Sequence, residues 1–206
     1  MGQVGQGPLR VWRVGSDEGV ADWLRAGFER GDPDVQVLVE TEIEDGLERV
    51  AEAQQRIDPQ MQSPLADTED PFDCIVCTND AEYDPISFVE AVRSKQEELP
   101  IVLFAAAGDE ALASDAISAG IDDYVTTGDE DPTGTLAEHV VTLCSEYRDA
   151  MRERRRGVRA QRLLEANPDM ISVVRPGAAI TYQNETVAAV LGYAAEELNG
   201  TVPYDR

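Results

Sequence analysis

Apolar positions along this chain fall into two alternating patterns. Short valine- and leucine-rich runs are separated by stretches in which apolar residues recur every three or four positions. Leu9 to Val14 reads as a strand, and Val20, Trp23, Leu24 and Phe28 then recur at helical spacing until Gly31-Asp32-Pro33 stops the helix. Asp17 is placed to cap that helix. Val35 to Glu40 is a second strand, and Ile43, Leu47, Val50 and Ala51 mark a second helix. Asp58 to Pro71, rich in proline and acidic residues, reads as an exposed loop. Phe72 to Cys77 is a third strand, and a helix is predicted from about Ile86 to Glu98. Pro100 introduces a fourth strand, Ile101 to Ala105. Glu110 to Ala119 is a helix closed by Gly120, and Tyr124 to Thr126 is a fifth strand.

Strands alternating with helices at this spacing predict an α/β fold with a doubly wound, five-stranded parallel sheet. Groups that do chemistry in such a sheet gather at the carboxyl ends of the strands. Those ends lie near Gly15-Ser16, Thr78, Ala105 and Thr127. A long helix begins near Thr135, with Leu136, Val140, Leu143 and Tyr147 as an apolar stripe at coiled-coil spacing. Its later part is strongly basic, and Asn167-Pro168 ends it. Two short strands follow, Met170 to Val174 and Ala179 to Tyr182, with Gly177 turning between them, and then a helix from about Asn184 to Leu191. The organisation is therefore a flexible lead-in over 1–8, an α/β core over 9–134, a linker helix over 135–166 and a further segment over 167–206.

Charge changes the picture next. The chain has 41 acidic and 17 basic residues, a net charge of −24 over 206 residues. Lys95 is the only lysine. This balance resembles that of proteins from salt-loving archaea, in which carboxylates hold water and cations while high salt screens their repulsion. The 42% hydrophobic content can supply a core. No apolar run is long enough to span a bilayer, and Met1 to Pro8 lacks the charge and apolar core of a signal peptide. Three cysteines, Cys74, Cys77 and Cys144, give no disulfide framework and fit a reducing cytoplasm.

The stretches FDCIVCTND, LPIVLFAAAGDEALASDAISAGIDDYVTTG and above all SAGIDDYV resemble a response-regulator receiver domain over about residues 8–150. The tail, LLEANPDMISVVRPGAAITYQNETVAAVLGYAAEELNGTV, resembles the opening of a PAS domain, through Asn184 and GYAAEELNG in particular. Receiver followed by PAS is similar to the halobacterial transducer-like sensor proteins and related haloarchaeal sensor histidine kinases. The resemblance implies a flavodoxin-like receiver sheet, then a long helix, then the start of a PAS α+β domain.

Receiver chemistry needs an aspartate nucleophile, an acidic pair that holds Mg²⁺, and a hydroxyl and a lysine that bind the phosphoryl oxygens. By the resemblance, the acidic pair falls on Gly15 and Ser16, the nucleophile on Thr78, the hydroxyl on Ala105 and the lysine on Thr127. Every one of these functions is replaced. Tyr124 keeps the aromatic position that receivers use in their switch, and also reads as a strand residue packed on the fourth helix. The expectation is a degenerate, non-enzymatic receiver with no cofactor and no metal. A displaced acidic site built from Asp17, Glu18 and Asp80 is the alternative, which would restore an active phosphoacceptor.

The remaining candidates read more plainly. Cys74 and Cys77 match a C-x-x-C pattern, but positions three apart on a strand face opposite ways, which makes them core cysteines. His139, the only histidine, reads as a helix surface residue. Arg148, Arg152, Arg154, Arg155, Arg156, Arg159 and Arg162 read as a solvated helix face that pairs with Glu146, Glu153 and Glu165. A DNA-associated regulator using these arginines is a further alternative. The partners expected are other signalling proteins or a downstream kinase or PAS region, with a homodimer through helix residues 136–165. Neither nucleic acid nor membrane is expected as a partner.

Overall fold

The computed structural model describes residues 7–15, 18–31, 35–40, 43–57, 72–79, 84–105, 109–128, 130–176, 179–192 and 200. They form two compact units, one up to Met151 and one from Arg152 onward. In the first unit β1 (Leu9–Val14), α1 (Glu18–Gly31), β2 (Val35–Glu40), α2 (Ile43–Ile57), β3 (Cys74–Asn79), α3 (Pro85–Arg93), β4 (Ile101–Ala105), α4 (Glu110–Ala119) and β5 (Asp123–Thr126) follow one another. They lead into α5 (Pro132–Glu165), whose later residues belong to the second unit.

The five strands are parallel in the order β2-β1-β3-β4-β5. β3 and β4 are covered on both faces, and their near-continuous apolar runs follow from that. On one face Val11, Cys74, Val76 and Val102 pack under Val20, Leu24 and Phe28 of α1 and under Leu136, Val140 and Cys144 of α5. On the other, Trp12, Ile75, Cys77 and Leu103 pack under Val50 of α2, Phe88 and Val92 of α3 and Ala116 of α4. Trp12 anchors this second layer, stacked on Phe72 at 5.1 Å between ring centroids and edge-on to Phe88 at 6.0 Å.

The helix ends carry their own stop signals. Asp84 caps α3, accepting from Ile86 N at 3.1 Å and Ser87 Oγ at 2.6 Å, with Pro85 in the first turn. Asp109 caps α4. Gly120 closes α4 at φ 103°, where Ala116 O accepts from both Gly120 N and Ile121 N at 3.1 Å.

Several boundaries differ from those expected, three of them for a visible reason. β3 begins at Cys74 rather than Phe72, because Asp73 turns its carboxylate back onto the Arg10 backbone N–H at 2.7 Å. α3 stops at Arg93 rather than near Glu98. The Arg93 guanidinium donates to Leu99 O at 2.6 Å, Gln96 O at 3.3 Å and Gly120 O at 2.7 Å, which holds the approach to β4 out of the helix. α5 starts at Pro132 rather than Thr135, since proline suits a first helical turn and Asp131 Oδ1 accepts from Gly134 N at 3.0 Å.

In the second unit β6 (Ser172–Val174) and β7 (Ile180–Gln183) form a two-stranded antiparallel sheet, followed by α6 (Glu185–Leu191). Asn184, fully buried, ties it together. Its Nδ2 donates to Leu164 O at 3.1 Å, Asn167 O at 3.3 Å and Asp169 O at 2.9 Å, while its Oδ1 accepts from Ile171 N at 3.0 Å.

Candidate functional site at the carboxyl ends of the strands

A sheet of this order changes direction between β1 and β3, and the crevice above that point is where such sheets place their ligands. Val14 lies opposite Cys77, which brings the ends carrying Gly15 and Thr78 together. Gly15 is buried at φ 139°, a backbone conformation that favours glycine. Thr78 is buried, and its hydroxyl donates to Val14 O at 3.5 Å. Ala105 pairs across to Asn79 and Thr126, and its carbonyl accepts from Thr127 N at 3.1 Å. Tyr124 sits opposite Leu103 and packs against the layer that holds Ala116. Its hydroxyl is buried and makes no hydrogen bond.

The structure thus gathers Gly15, Thr78, Ala105 and Thr127 at one edge of the sheet. Ser16, Asp17 and Asp80 lie outside the described residues, as does the side chain of Glu18. The Mg²⁺ that receivers use does not fit the donors present at Gly15 and Thr78. A glycine without a side chain and a hydroxyl turned onto a backbone carbonyl do not supply hard carboxylate oxygens. Among the described residues no group of three or more His, Cys, Asp or Glu is placed to hold a metal ion.

All three cysteines are free and buried. Cys74 faces the α1/α5 layer and Cys77 the opposite one, so they share no site. Burial pushes the Cys77 thiol up to about 12. Burial, with the Cys144 thiol beside it, raises Cys74 well above its ordinary value. These thiols are inert core groups.

Two polar residues make contacts that the reading of the sequence did not name. His139 is only half exposed and its Nδ1 pairs with Asp123 Oδ2, linking α5 to β5. Arg148 does not join a solvated arginine face. Its Nη2 pairs with Asp73 Oδ2 at 2.6 Å, and the guanidinium also donates to Gly7 O at 2.8 Å and to Pro8 O. Both partners are largely buried, so this pair clamps the start of β1 and the entry to β3 onto α5. The available signal was an aspartate set directly before an apolar strand, and nothing in the spacing named its partner.

The other arginines belong to the second unit, as does Glu165. Its carboxylate accepts from Tyr182 Oη at 2.7 Å and Glu185 N at 2.9 Å. Of the apolar stripe on α5, Leu136, Val140 and Tyr147 are buried within the first unit, along with Cys144 and Met151. Among the described residues no helix is long and apolar enough to cross a membrane.

No protein-family model matches the chain. It is 29% identical over 147 residues to the bacterioopsin transcriptional activator of Halobacterium salinarum, an alignment covering 64% of this chain and 22% of that protein. The chain therefore spans about a fifth of that relative's length. A CheY-like response regulator receiver domain protein from Methanospirillum hungatei superposes with a TM-score of 0.51 at 12% identity, over 70% of this chain and 99% of that one. A two-component response regulator of the LuxR family from an Aurantimonas species gives 0.51 at 18% identity, over 68% and 87%. The first unit has the receiver fold: a five-stranded parallel α/β sheet of CheY-like architecture, followed by a long helix.

Proposed function

We propose that this chain is a regulatory module of signal transduction, in which a receiver-like unit that accepts no phosphoryl group is joined through α5 to the opening of a PAS-like segment. It acts without catalysis, by contacts with other signalling proteins or with a downstream kinase or PAS region, in a salt-rich archaeal cytoplasm. The observation that carries this reading is the strand-end site. A buried threonine occupies the nucleophile position, bonded back to Val14, and a glycine occupies an acidic one. Ser16, Ala105 and Thr127 complete the replacement in sequence. The PAS-like part is supported by Asn184, whose four side-chain hydrogen bonds hold β6, β7 and the end of α5 together. The similarity to a halobacterial regulator supports both the regulatory role and the salt-loving setting.

Addition of a phosphate mimic with Mg²⁺, followed by nuclear magnetic resonance, tests it. The expected result is no shift at Thr78, Tyr124 or Thr127. Saturable shifts there would favour a phosphoacceptor built on Asp17 and Asp80. A second reading, association with DNA through the arginines of α5, is favoured by the relative's name as a transcriptional activator. A salt-dependent shift of labelled duplex DNA would support it.

A further inference from the structure

α5 changes character along its length. Its buried residues run from Leu136 to Met151, whereas none of residues 152–165 is buried. Over 152–162 it carries six arginines against the single acid Glu153. Arg152, Arg155, Arg159 and Arg162 are spaced by three, four and three, with Arg156 beside them on the same face. Like charges at that spacing disfavour a helix. Gly157 weakens it further, and a Cβ there would meet nothing within 4 Å, so no close packing calls for a glycine. Arginine itself has a good helix propensity, but eleven residues without a buried face are too few to hold a helix in water unaided.

Both ends of that stretch are held. Before it, Arg148 pairs with Asp73 at 2.6 Å and donates to Gly7 O, Tyr147 Oη accepts from Gln96 Nε2 at 3.3 Å, and Met151 is buried. After it, Asn184 Nδ2 donates to Leu164 O and Asn167 O, and the Glu165 carboxylate accepts from Tyr182 Oη and Glu185 N. The first set ties α5 to the first unit, and the second ties its last turn to β7 and the start of α6. Helix propagates readily from a turn that is already fixed, so a stretch with little stability of its own takes its order from its ends.

We propose that residues 152–162 are a conditional helix, ordered only while both ends are held, so that release of either end unwinds the stretch and passes the state of one unit to the other as helix order. The inference stands whether or not the strand-end site accepts phosphate. KCl screens the arginines from one another, so salt favours the ordered state.

Hydrogen exchange of the full chain, read by peptide mass spectrometry at one KCl concentration, tests this. In the parent protein residues 152–162 are expected to exchange faster than α5 before Met151 and slower than a free peptide. Asn184→Ala, a change within the second unit, is expected to speed exchange over 152–162 by about tenfold while β3 and β4 stay protected. Arg148→Met is expected to do the same from the other end. Where it also strips protection from β3 and β4, Tyr147→Phe, which removes the hydrogen bond to Gln96 and keeps the ring, takes its place. Gly157→Ala and Arg159→Gln leave both ends intact and are expected to slow exchange over 152–162 by about threefold. Unchanged exchange there on release of either end overturns the proposal, since the stretch is then stable by itself. So does exchange at the free-peptide rate in the parent chain, which leaves no helix to lose. So does a failure of both Gly157→Ala and Arg159→Gln to slow it.

Discussion

Arg148 and Asp73 form a largely buried ion pair 2.6 Å long that joins α5 to the entry of β3, across 75 residues of sequence. The same guanidinium donates to the carbonyls of Gly7 and Pro8, and the same carboxylate accepts from Arg10 N, so both charges are well satisfied. Removing either partner strands the other in a poorly solvated place. Arg148→Met is expected to cost about 3 kcal/mol and Asp73→Asn a comparable amount. The double variant should lose less than the two together. Urea midpoints of the four proteins, measured in one salt concentration, check this.

Glycines in three helices separate close packing from helix propensity. A Cβ on Gly46 would lie 2.1 Å from the Trp12 ring, and one on Gly27 would lie 2.9 Å from Thr133 O, where α1 meets α5. One on Gly157 would meet nothing within 4 Å. Gly46→Ala is expected to destabilise by about 2 kcal/mol despite its better helix propensity. Gly157→Ala should stabilise α5 by about 1 kcal/mol. Thermal melts of the variants against the parent decide both signs.

Much of this fold could be read from the sequence because its signals are local. The apolar runs fixed the strands, and the SAGIDDYV stretch placed Gly120, which the structure finds in the left-handed conformation that ends α4. The opposite-facing cysteines followed from strand geometry alone. What escaped was non-local. Arg93, Asp73 and Arg148 set the ends of α3 and β3 through partners that spacing does not reveal. The apolar stripe of α5 was legible as a stripe, but a core face and a coiled-coil seam share the same period until the partner is known. At the strand ends, residue types alone located Gly15, Thr78, Ala105 and Thr127, and the turn of the Thr78 hydroxyl onto Val14 came only with the structure.

The second unit should weaken in alkali. Partial burial and the Glu165 carboxylate that accepts its hydrogen bond push Tyr182 from 10.0 up to about 12. A group whose folded value is raised contributes stability that is present below its unfolded value and is lost as pH rises through the folded one. The loss should therefore run from about pH 10 to about pH 12. Ultraviolet difference titration should show Tyr182 ionising late, a contribution that Tyr182→Phe should remove.

Salt is expected to stabilise the whole chain. With 41 acidic residues against 17 basic, self-repulsion disfavours the compact state in dilute buffer, and KCl screens it. Thermal midpoints should rise steadily with KCl. A flat or falling series would remove the support for a salt-loving origin.

Whether the strand-end site accepts a phosphoryl group is read directly from the intact mass after incubation with a small-molecule phosphodonor and Mg²⁺. The mass of the protein is expected to stay unchanged. The same holds for Thr78→Asp, since Gly15 and Ser16 would still offer no metal ligands and Thr127 no lysine. A gain of one acid-labile phosphoryl group on the unmodified chain would contradict it.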